Sequence, residues 1–459
     1  MADPVVAVVG AGPAGVRAAA ALVAAGVRPV VIDEAMRAGG QIYRRQPEGF
    51  LRSYTDLYGS EAERARAVHD CFDALRDRLD YRPQTLAWTI SDRRIFTSGP
   101  AGQHVLPFDA LILCTGATDR IMPVRGWHWA GCYSLGGAQI ALKAQACAIG
   151  RRTVFMGAGP LLYLVAAQYA KAGAHVAAVL DTSPVSASLA ALPRLLAQPA
   201  TLRVGMGLLR DLRRAGVPVH RGVTPMEIHG EPDHGVSGVS VRTSHGAILA
   251  IDCDAVAMGH HLRPETQLAE LAGCAFAFDR MIGQWLPVRD ADGRSSQPGV
   301  YLAGDGARIL GAVAAEAAGE LAALTTLDDR GHRVCETARQ DAKRTIARAR
   351  RFAEGLARAF PWPREQISRL DNATILCRCE AITVGDLRRS IAETETDEAN
   401  RAKAFSRVGM GRCQGRYCGL AAAELISAAV GTPVEAVGRL RAAAPVKPIV
   451  IASGGRCER

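Results

Sequence analysis

The chain opens its hydrophobic pattern with an unbroken, β-branched run at Val5–Val9. A run without alternation reads as a strand buried on both faces, as in a parallel sheet. It ends in Gly10-Ala11-Gly12-Pro13-Ala14-Gly15, after which Ala18–Ala25 reads as a helix and Pro29–Asp33 as a second short strand. The same order returns at Arg152–Met156, Gly157-Ala158-Gly159-Pro160-Leu161-Leu162 and a strand ending at Asp181. From about Glu336 to Arg369 the pattern becomes charged and helical, broken at Pro361-Trp362-Pro363, and reads as a connector. The arginines of this stretch, around Arg333–Arg369, predict a solvated or partner-facing helix. A smaller region follows, with a polar helical stretch between two cysteine pairs. The pattern predicts an α/β protein with two Rossmann-like units and a small helical C-terminal domain.

Composition narrows this picture. At 459 residues there is room for two or three domains and a large core. Hydrophobic residues at 49% and charged residues at 22% fit a globular chain. The net charge of +10 raises nucleic acid as a partner, but no RNP, zinc-finger or basic-zipper pattern accompanies it, so none is expected. Twelve cysteines in a chain this long do not make a secreted disulfide framework. Eight are scattered singly and read as plain thiols, the tail residue Cys457 among them. The opening MADPVV lacks the basic region of a signal peptide, and no apolar run reaches the roughly 18 residues of a membrane span. The expectation is a cytoplasmic protein without a transmembrane segment, meeting the inner membrane peripherally through a partner.

The first glycine-rich turn carries definite chemistry. Gly10 permits the tight turn, Gly12 lets backbone approach a pyrophosphate, and Gly15 lets the helix pack on the strand. The helix N-terminus then faces the phosphates. Glu34 lies 19 residues beyond Gly15, where an acid accepts ribose hydroxyls. The second turn differs: Leu162 replaces its third glycine, although Asp181 keeps the spacing of the acid. Asp181 would repel a 2′-phosphate, which disfavours NADP. Residual binding of NAD or an adenine nucleotide and a ligand-free scaffold both remain open there.

Cys377-Arg378-Cys379 and Cys413 with Cys418 form C-x-C and C-x4-C pairs 33 residues apart. Four thiolates from two loops make a soft metal or cluster site. An iron–sulfur cluster suits this spacing, with structural zinc as the rival, for which C-x-C is unusual. Arg378, Arg412 and Arg416 beside these positions would offset the charge of an anionic cluster.

Arg37-Ala38-Gly39-Gly40-Gln41-Ile42-Tyr43-Arg44 resembles the G-G-Q segment of the two-dinucleotide-domain flavoproteins that include thioredoxin reductase. Leu111–Ala117 and Gly299–Gly306 resemble that family's A-T-G strand and late G-D motif, in the same order. The resemblance implies a disulfide-oxidoreductase-type flavoprotein with two interleaved Rossmann-like domains: 1–120 with 285–330 for FAD, and 121–284 as a degenerate second nucleotide domain. It implies FAD at Gly10, Gly12, Pro13, Ala14, Gly15, Glu34, Gly40, Gln41, Thr115, Gly116, Gly304 and Asp305, and a second nucleotide at Gly157, Gly159 and Asp181. Thioredoxin reductases carry a C-x-x-C dithiol in the second domain; none of the cysteines from Cys114 to Cys274 has that spacing, so dithiol exchange is not expected. Beyond a connector at 331–370, region 371–459 resembles the bacterioferritin-associated ferredoxin type of [2Fe–2S] module, with Cys377, Cys379, Cys413 and Cys418 as ligands.

The whole order, with GGQIYRR, CTGATDR and ILCRCE, resembles the alpha subunits of heteromeric bacterial amine dehydrogenases: opine oxidases, proline and hydroxyproline dehydrogenases and hydrogen cyanide synthase. That resemblance implies an electron-relaying subunit beside a D-amino-acid-oxidase-like catalytic subunit with its own FAD. A small ferredoxin-like protein, a second nucleotide (NAD or ATP) and FMN at a subunit interface belong to the same expectation. No substrate base or nucleophile stands out in this chain, and His260-His261 reads as structural. The alternatives are a stand-alone NADH-dependent flavin and iron–sulfur reductase, and a non-catalytic assembly subunit.

Overall fold

The computed structural model describes residues 4–450. Cys457 lies outside them. Five parallel strands form the first sheet, in the order Val300–Leu302, Ala110–Leu113, Val6–Val9, Val30–Ile32, Asp80–Arg82. Its central strands are apolar and wholly buried, the cost of ordering them being offset by burial on both faces. The helix Pro13–Ala24 begins on proline, whose missing N–H costs nothing at a first turn. This alanine-rich helix packs on Ala312–Asp328, with Gly319 against the Ala14 backbone, where any side chain would overlap it.

The second sheet runs Val219–Arg221, His175–Asp181, Arg152–Ala158, Ala255–His260, Cys132–Ser134, again parallel. The chain passes from the first sheet to the second along Ala117–Asp119 and returns along Leu262–Pro264. These two segments pair antiparallel. The crossing therefore places the end of each sheet beside the other.

The connector is the helix Glu336–Ala359. It is not simply solvated: Ala342, Ala349, Phe352, Gly355 and Ala359 form a buried face against Val185–Leu195 and Ala312–Asp328. Its arginines occupy the other faces. The C-terminal region starts with a short hairpin, Ile375–Cys377 with Ile382–Thr383. Thr383 and Asp386 then cap the helix Val384–Thr394 reciprocally. Its core is continuous with that of the second sheet: Trp127, Ile228 and Val236 pack in one cluster with Leu376, Val408 and Leu425. The Trp127 indole donates to the Ile375 carbonyl at 2.5 Å, so the hairpin bearing the first cysteine pair is anchored to the flavoprotein body.

Candidate functional site

The first glycine-rich turn is built by the chain but not filled by it. Side chains at Gly10 and Gly15 would overlap the Cys114 and Gly10 carbonyl oxygens, so the fold itself demands both glycines. Gly12 differs: a methyl group there meets only the Gly40 Cα, at 3.6 Å. The space above Gly12 is available to a ligand's phosphates, beside the N-terminal turn where Pro13 and Ala14 stand. Gly39 N–H donates to the Ala11 carbonyl at 2.9 Å, bringing Gly40 and Gln41 to the same place. The Gly304–Gly306 turn seats against Ala14 and Thr115. Asp305 accepts from the Leu310 and Gly311 amides at 2.8 and 3.2 Å, and burial pushes its carboxyl up.

Of the two adjacent acids, Asp33 is the one bonded to this turn. Asp33 accepts from the Ala11 and Ala35 amides at 2.5 and 2.6 Å, and burial raises its pKa. Glu34 follows on the opposite side of the chain and pairs with Lys447. Successive residues leaving a strand point to opposite faces, so the two carboxylates diverge. The signal was present in the sequence as adjacent acids, with nothing in the spacing to choose between them.

The second turn is closed by the chain's own side chains. Leu162 is fully buried in a core with Leu135, Phe155 and Val165. Asp181 accepts hydrogen bonds from the Tyr163 hydroxyl and the Ser183 amide (2.8 Å), and Arg221 lies 3.5 Å away. His261 sits over Gly159, where a methyl group would come within 3.1 Å of its ring. Its Nε2 bonds to the Phe360 carbonyl at 2.7 Å. Trp362 stands edge-on to His260 and stacks on Arg120 at 3.9 Å. Burial pushes His260 down to about 3 and His261 to about 4, so both are neutral structural imidazoles. Gly159 is thus covered by His261, whose ring is bonded to the Phe360 carbonyl at the end of the connector.

The four cysteines of the C-terminal region come together. The Cys418 thiol neighbours those of Cys377 and Cys413, and Cys413 neighbours Cys379. Among the described residues no three ligand side chains form a ready cage for a single ion. Amides of Gly409, Glu380 and Cys379 point at Cys377, and those of Tyr417 and Gly415 at Cys413. Contact with Cys418 and these amides hold Cys377 and Cys413 down at about 6 and 5, while Cys418 is driven well up by the same neighbours. Amide donors around thiolates are what an anionic cluster requires, so the donor set fits a [2Fe–2S] group. Gly411 lies against the Cys379 side chain, where a Cβ would overlap.

The arginines beside these cysteines have separate fates. Arg378 stacks on Trp127 at 4.9 Å. Arg416 does not offer a free charge: Glu265 pairs with it at 2.6 Å, and its Nη1 donates to the Val446 carbonyl at 2.6 Å. Burial favours a neutral Glu265, but Arg416 and Arg263 prevail and hold its carboxyl low. Glu265 and Arg263 carry no motif, and reading the sequence passed over both. They lie on the segment returning from the second sheet, whose Glu265 amide donates to the Gly116 carbonyl at 2.9 Å. Thr115 Oγ1 donates to the Glu265 carbonyl at 2.5 Å. The cysteine loop and the Thr115–Gly116 turn therefore sit on two sides of one segment.

Comparison with known proteins agrees with this architecture. Residues 4–339 match the pyridine nucleotide-disulphide oxidoreductase family, and residues 375–428 the BFD-like [2Fe-2S] binding domain. The A subunit of opine oxidase from Agrobacterium tumefaciens is 38% identical over 97% of this chain and 90% of its own length. The HcnB subunit of hydrogen cyanide synthase from Pseudomonas aeruginosa is 31% identical over 96% of each. Among solved structures, L-proline dehydrogenase from P. horikoshii superposes with a TM-score of 0.70 at 19% identity, covering 98% of this chain and 80% of that one. Thioredoxin reductase from T. acidophilum gives 0.51 at 21% identity over 71% and 98%. At such identities these two likenesses speak for the fold alone. The chain belongs to the pyridine nucleotide-disulphide oxidoreductase family, in the group of the opine oxidase A subunits and HcnB, and is a flavoprotein oxidoreductase with a C-terminal [2Fe–2S] module. No described helix is long and apolar enough to cross a membrane.

Proposed function

We propose that this chain is the electron-transferring flavin and iron–sulfur subunit of a heteromeric dehydrogenase. The complex oxidises an amino-acid-derived secondary amine of the opine, proline or hydroxyproline type. Oxidation itself belongs to a partner, a D-amino-acid-oxidase-like subunit with its own FAD. The relatives, named as subunits of opine oxidase and of hydrogen cyanide synthase, support a heteromeric complex. The complex is cytoplasmic, with peripheral contact at the inner membrane.

One observation carries the reading: the two turns are unequal, one open above Gly12 and the other closed over Gly159 by His261 and the Phe360 carbonyl it bonds. A chain whose electrons came from NADH would keep the second turn open. FAD would supply a carrier of one or two electrons, and the cluster a carrier of one. Gly10, Gly12, Gly15 and Asp33 would hold the dinucleotide, with Gly40, Gln41, Thr115, Gly116 and Asp305 around its flavin end. Cys377, Cys379, Cys413 and Cys418 would hold the cluster, at about two irons per chain.

Anaerobic stopped-flow spectroscopy tests the assignment. NADH should bleach the isolated chain slowly, whereas the assembled complex should be reduced by an opine- or proline-type amine. Rapid stoichiometric bleaching of the isolated chain by NADH would replace this reading with a stand-alone reductase.

A further inference from the structure

The contact between the cysteine loop and the flavoprotein body is unusually specific for a junction of two modules. Arg263 Nη1 donates to the Arg416 carbonyl at 2.8 Å and reaches the Gly415 carbonyl at 3.4 Å. Gln267 Nε2 donates to the Gln414 carbonyl at 2.9 Å. Glu265 takes Arg416 in two bonds, Nε to Oε2 at 2.6 Å and Nη2 to Oε1 at 3.1 Å. Three side chains from one short segment therefore hold three consecutive loop residues, 414 to 416, between two of the proposed ligands. The pair is enclosed: the Arg416 side chain is 8% exposed and that of Glu265 15%. Charges so enclosed are weakly screened and act strongly on a neighbouring ionic group.

We infer that Glu265, through Arg416, is a positioning residue for the cluster: it locks the Cys413–Cys418 loop onto the Gly116 segment and masks the one cationic charge held inside that loop. The inference rests on the iron–sulfur reading of these cysteines. Arg263 and Gln267 fix the loop's backbone, and Glu265 sets its electrostatic balance. Reduction adds an electron to an anionic centre, so a nearby unmasked cation raises the potential and an unmasked anion lowers it.

Opposite signs make the test decisive. Glu265→Gln, nearly isosteric, leaves Arg416 charged and unmasked, and the cluster midpoint potential should rise. Arg416→Gln leaves Glu265 charged, and the potential should fall. The double substitution should return close to the unsubstituted value. The measurement is a redox titration followed by electron paramagnetic resonance on the full chain in its complex, with iron and flavin counted for each variant. If Arg416→Gln loses its iron, the Glu265→Gln shift decides alone. Unmoved potentials with iron retained, or shifts of the same sign, overturn the inference and leave the iron–sulfur reading intact. Absence of iron from the unsubstituted chain removes both.

Discussion

The two glycine-rich turns of this chain begin from the same strand–turn–helix pattern and end in different states. In the first, Gly15 is required because the helix start lies directly on the Gly10 carbonyl. In the second, Leu162 takes the equivalent place and its side chain is wholly buried, so the helix stands where a leucine fits. Asp33 faces the first turn through the Ala11 amide. Asp181 is engaged by Tyr163, Ser183 and Arg221. The space above Gly12 is open, while that above Gly159 holds His261. A shared pattern thus specifies a shared backbone, and the ligand is decided by the third glycine, by the acid's other partners and by what the rest of the chain lays across the turn.

The largest effects should come from exchanging the residues that differ. Gly15→Val forces a side chain into the Gly10 carbonyl and should abolish both soluble expression and FAD. A Cβ at Gly12 meets no such overlap, and Gly12→Val should leave thermal unfolding of the apoprotein nearly unchanged while emptying the flavin site. Flavin released on denaturation, measured beside the melting curve, separates the two. If Gly12→Val keeps full flavin, the ligand does not lie over this turn. The reverse exchange, Leu162→Gly, should cost about 3–5 kcal/mol as a buried cavity and yield no faster reduction by NADH, because His261 still covers Gly159.

A smaller effect separates the adjacent acids. Asp33→Ala removes a charged acceptor from the Ala11 amide and from a ribose, worth about 1.5–3 kcal/mol, and should weaken FAD roughly ten- to hundredfold. Glu34→Ala breaks only a half-exposed pair with Lys447 and should stay within a few-fold. Equilibrium dialysis of FAD against apoprotein would show it; the opposite ranking would restore Glu34 as the ribose acid.

Legibility in the sequence followed distance along the chain. Strand, turn, helix and the replaced glycine at Leu162 are local, and the structure contains them: the first strand spans Val6–Val9, within a residue of its expected bounds, while the helix read from Ala18 begins already at Pro13. The cysteine pairs were legible because thiols at fixed spacing have few other uses. What covers the second turn was not legible, because His261 and Phe360 stand 99 residues apart. Nor was the fate of Arg416, whose partner Glu265 lies 151 residues away and on no motif. Adjacent acids at Asp33 and Glu34 are hard to tell apart for another reason: a spacing rule is good to about one residue, and a side chain's direction changes with every residue.

The smallest predicted effect concerns the cover itself. His260 is 1% exposed, and neither ring nitrogen has a hydrogen-bond partner among the described residues. Around it stand His261, the Trp362 edge and Arg120, the last itself lowered to about 9 by burial. Burial first, then the neighbouring His261 and Arg120, depress the His260 pKa to about 3, against about 6.5 in an unfolded chain. The unfolded state therefore binds a proton that the folded state refuses. Stability owed to the neutral ring is complete above about pH 6.5 and is lost as pH falls from there towards 3. His260→Leu removes that proton uptake and keeps the packing against Trp362. Its melting temperature should fall less than that of the unsubstituted chain between pH 7 and 5, by roughly 2–4 °C. Circular dichroism melts at those two values check it. Parallel curves would mean that His260 is protonated in the fold, and the cover over the second turn would then be looser than its neutral, enclosed imidazoles require.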